Sequence, residues 1–140
     1  MVKLPKIGLA LLASAAFAQP VGNMSQLMIN IIYPTSDAIF YLDRDEPKNE
    51  VQWNALANQA LMLAESANLL MMPGRDRQQA EWTQYSKDMR EAGQMAYKAA
   101  AAKDVDGVRA VNDRLYNSCV QCHMKYRSGY ARRPVAPVKN

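Results

Sequence analysis

The sequence predicts an all-α protein, an antiparallel four-helix bundle of up-down-up-down connectivity. Two observations carry that expectation. Apolar residues recur at intervals of three and four, and almost nowhere alternate with period two. Proline and glycine are concentrated at a few breaks, which leave four long amphipathic stretches joined by short polar loops.

The N-terminus stands apart from this pattern. Lys3 and Lys6 precede the uncharged apolar run 7–13, and Ala16-Phe17-Ala18 offers the small-x-small pattern that signal peptidase reads. Residues 1–18 therefore read as a cleaved signal peptide, since the apolar run 7–13 is far short of the roughly 20 apolar residues of a spanning helix. No second apolar run follows, so no integral membrane segment is expected in the mature chain. The expected location is the periplasm. Residues 19–140 then form one domain of ordinary size.

The first helix is expected over 23–42, with Asn23 or Ser25 as its cap. Met24, Leu27, Met28, Ile31, Ile39 and Leu42 share a face. Pro34 lies inside it, removes a backbone donor and predicts a kink or two abutting helices. Thr35, Ser36 and Asp37 would cap the second piece. Residues 43–48 are polar, contain Pro47 and read as a loop. Asn49 caps a second helix over 50–72, ended by Pro73-Gly74. A third helix is expected over 77–102, with Asp76 as a candidate cap and an alanine-rich end. Asp104 or Asp106 opens the fourth, on which Val108, Val111, Leu115, Cys119, Cys122 and Tyr126 face one way. Gly129 and Pro134 end it, and the last residues read as disordered.

Charge excludes one partner class. The whole chain carries 17 basic and 13 acidic residues. Without Lys3 and Lys6 the balance is 15 to 13, a net charge of +2, too mild for a nucleic-acid binder. The local cluster Lys125, Arg127, Arg132, Arg133 and Lys139 reads as a solvated tail or as a docking patch for an acidic partner.

Both cysteines and the single histidine fall in one stretch, Cys119-Val-Gln-Cys122-His123. On a helix this spacing sets the thiols a turn apart with the imidazole beside them. A disulfide suits an exported chain but is awkward at this spacing within a helix, and it leaves His123 unused. Structural zinc needs four ligands, and no third cysteine or second histidine exists. A thioredoxin-like pair belongs beside a βαβ pattern, which is absent. Covalent haem attachment uses all three residues, with two thioethers from Cys119 and Cys122 and an iron ligand from His123. One covalently attached haem c is the expected cofactor.

With Tyr126 and Arg127 following the motif near the C-terminus of a four-helix chain, the sequence resembles the class II c-type cytochromes. These are cytochrome c′, itself a four-helix bundle, and its six-coordinate relatives. The resemblance covers the layout of the mature chain, and in specific residues only the motif and part of the first helix. It implies a C-terminal haem-attachment helix, and a first helix lying over the distal face of the haem. There Ser25-Gln-Leu-Met28-Ile29 is similar to the Leu-Met segment of the Met-ligated members. Met28 is the leading distal ligand and Met24 the reserve. An open site is the alternative, since nine methionines must also serve as core filler. Arg127 resembles a family arginine near the haem and is a candidate propionate contact. Trp53, Leu63, Trp82, Tyr85, Leu115, Tyr116 and Tyr126 are candidate walls, each equally at home in a bundle core.

Two functions follow from the distal choice. His/Met ligation gives a one-electron carrier serving redox partner proteins. An open site gives a five-coordinate protein that binds NO or CO. Peroxidase chemistry wants a distal acid–base group, and the one histidine is used on the proximal side, so no enzyme is expected. The resemblance also implies a homodimer through the first two helices.

Overall fold

A computed structural model describes residues 19–130, all of them helix, turn or coil with no strand. The expected signal peptide, residues 1–18, and the basic tail beyond residue 130 lie outside the described residues. No described helix is long and apolar enough to cross a membrane.

Helix α1 (Met24–Leu27) opens on a reciprocal capping box. The Asn23 side chain accepts from the Gln26 amide at 2.9 Å, and Gln26 Oε1 accepts from the Asn23 amide at 2.9 Å. The chain runs on through a π-helical segment (Met28–Ile32) into α2 (Tyr33–Phe40) without leaving right-handed helical geometry. The kink expected at Pro34 therefore takes the form of a widened turn. The Tyr33 amide donates five residues back to the Met28 carbonyl, and Pro34 falls in the first turn of α2, where its missing donor costs least. Thr35 and Ser36 do not cap α2. The Thr35 hydroxyl donates to the Ile31 and Ile32 carbonyls at 2.7 and 3.0 Å, and Ser36 donates to Tyr33 at 3.0 Å. Both are buried, and these bonds satisfy carbonyls around the irregular turn.

Helix α3 (Glu50–Leu70) starts where expected, with Asn49 accepting from the Gln52 amide at 3.0 Å. Helix α4 (Ala80–Ala101) starts three residues later than expected. Asp76 caps a turn instead of the helix: its carboxylate accepts from the Gln78 amide at 3.0 Å, and Gln78 adopts φ +53°. The fourth helix is broken. Asp104 caps the short α5 (Val105–Arg109), the chain turns at Ala110 and Val111, and α6 (Asn112–Tyr126) follows.

Helices α3 and α4 form the largest contact, and α6 packs on α4 while α2 packs on α3. The α3–α4 seam is lined by small residues, with Ala60, Ala67, Ala92 and Ala96 fully buried. At Gly93 a Cβ would lie 2.7 Å from the Ala64 backbone nitrogen, so the crossing is closer than any side chain allows. Larger residues fill the flanks, among them Ile39, Leu63, Val108 and Leu115.

Candidate functional site

One cleft of about 700 Å³ runs between the N-terminal helical stretch and α6. Two walls define it. Cys119, Cys122, His123 and Tyr126 line it from α6, and Met24 and Met28 from α1 and the π-helical segment. Residues nearly a hundred positions apart in sequence thus share one largely apolar space.

The α6 wall arises from a division of labour along the helix. Val111, Leu115 and Ser118 turn into the core, with the Ser118 hydroxyl held by the Leu115 carbonyl at 2.7 Å. Cys119, Cys122 and Tyr126 pack at the core's edge, half-buried, and so face the cleft. Both cysteines are free thiols. Burial raises the pKa of Cys119. Burial, with the neighbouring Cys119 adding to it, pushes Cys122 up to about 11, and Arg77 opposes the rise. His123 is shifted the other way, its pKa lowered by burial and then by the Arg127 charge, which favours the neutral imidazole. Among the described residues, no three His, Cys, Asp or Glu side chains converge as a metal chelate would require.

The other wall is fixed by its own anchors. Leu27 is buried, the capping box sets the start of α1, and the π turn ties Tyr33 to the Met28 carbonyl. Met24 and Met28 lie one turn apart and half-buried. Ser25, Ile29, Ile32 and Tyr33 continue the same wall.

Trp82 forms the back. It is buried, and its indole N–H donates to the Leu70 carbonyl at 2.9 Å. Tyr126 meets it edge-on, ring centroids 5.0 Å apart, and donates its hydroxyl to Gln79 Oε1 at 2.8 Å. That bond holds the end of α6 to the start of α4. Beyond it, Tyr130 lies 5.2 Å from His123, ring to ring.

Of the candidate walls, Trp82, Tyr116 and Tyr126 line the cleft. Trp53, Leu63 and Leu115 belong to the core, and Tyr85 lines a separate polar recess on the far side of α6 beside Ser118. Arg127 does line the cleft. The sequence reading missed Arg77, Tyr33, Phe40 and Tyr130, which also line it. Tyr33 follows from extending the Met24–Met28 stripe by one wide turn. Arg77 carries no such signal, because it sits in the α3–α4 loop and reaches the cleft only through the fold. The described lining contains no carboxylate.

No family model, no curated protein and no solved structure matches this chain.

Proposed function

We propose that this chain is an exported c-type cytochrome, a one-electron carrier of the periplasm. In this reading its helices form an antiparallel up-down-up-down bundle whose C-terminal helix attaches one haem c. One observation carries the proposal: a single apolar cleft is lined from α6 by Cys119, Cys122 and His123, and from the N-terminal helical stretch by Met24 and Met28. Its volume of about 700 Å³ falls within the roughly 300–1,000 Å³ of cofactor and ligand pockets. The donor set fits the group as well. Two thiols one helical turn apart suit two thioether links, and the half-buried neutral imidazole next to the second suits an iron ligand.

Bound there, haem c would supply an iron centre that cycles between two oxidation states. The chain does the rest. Cys119 and Cys122 would hold the group along α6. His123 would supply a ring nitrogen to its iron. Met28 would supply a thioether sulfur, which favours the reduced state and a low-spin centre. Trp82, Tyr126 and Ile32 exclude water. The rim carries exposed Ile29, Tyr33 and Tyr116, which provide apolar contact for redox partner proteins.

The test is the secreted protein expressed with haem attachment. Its intact mass should exceed that of the polypeptide by one haem, lost on Cys119→Ser with Cys122→Ser. Its reduced spectrum should be low-spin, and Met28→Ala should make it high-spin and able to bind carbon monoxide, while Met24→Ala leaves it low-spin. A wild-type protein that is already high-spin and binds carbon monoxide would transfer the reading to a five-coordinate gas-binding protein.

A further inference from the structure

The described chain contains seven arginines, and five of them find acceptors. Arg44, Arg109 and Arg114 pair with carboxylates. Arg75 donates to the Gly22 and Leu69 carbonyls, and Arg90 to Asn68. The two left over are Arg77 and Arg127, and both line the cleft. Among the described residues, each makes an aromatic contact but no hydrogen bond or ion pair through its guanidinium. The Arg77 guanidinium lies 5.7 Å from the Trp82 ring centre, and that of Arg127 lies 5.8 Å from Tyr130. All 13 acidic side chains of the chain lie within the described residues, and none lines the cleft. Two guanidinium groups without an acceptor among the described residues thus flank an apolar space whose described lining holds no carboxylate.

Their supports differ. Arg127 caps the end of α6, its amide bonded to the His123 carbonyl at 3.0 Å. Arg77 belongs to the α3–α4 loop, which the Asp76–Gln78 turn and the Gln79–Tyr126 hydrogen bond hold against that same end. Stacking on Trp82 restrains Arg77 further. Guanidinium forks match carboxylates with two parallel hydrogen bonds, which a lysine cannot reproduce.

We infer that Arg77 and Arg127 form a two-point clamp for the carboxylates of the cleft's ligand, which on the haem reading proposed above are its two propionates. Arg77 is then a positioning residue that also sets the ionisation of those carboxylates. A neighbouring guanidinium favours the ionised form by about 1–3 pH units.

The experiment is a redox titration of the haem-loaded full chain, with midpoint potential measured against pH. Propionate ionisation appears as a bend in that curve. Arg77→Ala should move the bend up by about one pH unit. Arg77→Lys should move it less, and Arg44→Ala, remote from the cleft, should leave it in place. Arg77→Gln repeats the loss of charge with more of the side chain kept, so a folding failure of the alanine variant leaves the test intact. A bend unmoved in both neutral variants, with haem mass and colour retained, overturns the clamp and leaves the cytochrome reading standing. The same holds if Arg77→Ala changes only the salt dependence of electron exchange, which would make Arg77 a partner-docking residue. A wild-type chain with no covalent haem overturns both.

Discussion

At the residue scale the cleft depends on a few side chains with one well-made bond each. The Trp82 indole N–H satisfies the Leu70 carbonyl in a buried setting, while the Tyr126 hydroxyl meets Gln79 where both are accessible to water. A buried acceptor left without its donor costs about 1–3 kcal/mol, whereas exposed partners re-solvate. Trp82→Phe should therefore lower thermal stability by several degrees, and Tyr126→Phe should stay within about 0.5 kcal/mol of wild type by denaturant unfolding. Equal losses for the two would contradict this account. Met28 and Met24 pose a similar contrast. Both line the cleft, yet only Met28 lies at the start of the π turn, with its carbonyl committed to Tyr33. On the haem reading proposed above, loss of a low-spin spectrum on Met24→Ala but not on Met28→Ala would place the iron ligand one turn earlier.

At the scale of elements, small residues decide how closely helices approach. Gly93 is the contact point of α3 and α4, and an added Cβ would meet Ala64 backbone atoms at 2.7 and 2.9 Å. Alanine gains about 1 kcal/mol of helix propensity over glycine. Backbone cannot yield as a flexible side chain does, and overpacking costs about 1–3 kcal/mol. The second effect wins, so Gly93→Ala should lower the urea midpoint. A midpoint above wild type would show that the seam opens without cost. The N-terminal stretch illustrates a different local conflict. Pro34 was legible as an interruption, but the form of the interruption was not. A widened turn leaves the helix continuous and keeps Met28 facing the cleft, where a clean break would have freed it.

At the scale of the whole molecule, an apolar cleft of this size should make stability depend on what fills it. On the haem reading, the variant Cys119→Ser with Cys122→Ser should keep its helical circular dichroism and melt well below the haem-loaded wild type. Identical melting points would mean that the cleft's ligand contributes nothing to the fold. The elements themselves were largely readable. Asn49 and Asp104 as caps, Pro73-Gly74 as a stop and the three-and-four spacing of the core are local features, set by backbone chemistry and burial within a few residues. The break between α5 and α6 and the late start of α4 were not readable, because loop turns at Ala110 and at Gln78 override a helical pattern that continues through them. By itself the sequence determined the all-helical class and the motif Cys119, Cys122 and His123. Tertiary structure alone decided that Met24 and Met28 share a cleft with that motif, and that Arg77 joins Arg127 there without an acidic partner. The physical reason is range. Periodicity and capping act over one or two turns, whereas a cleft is bounded by residues that only helix packing brings together.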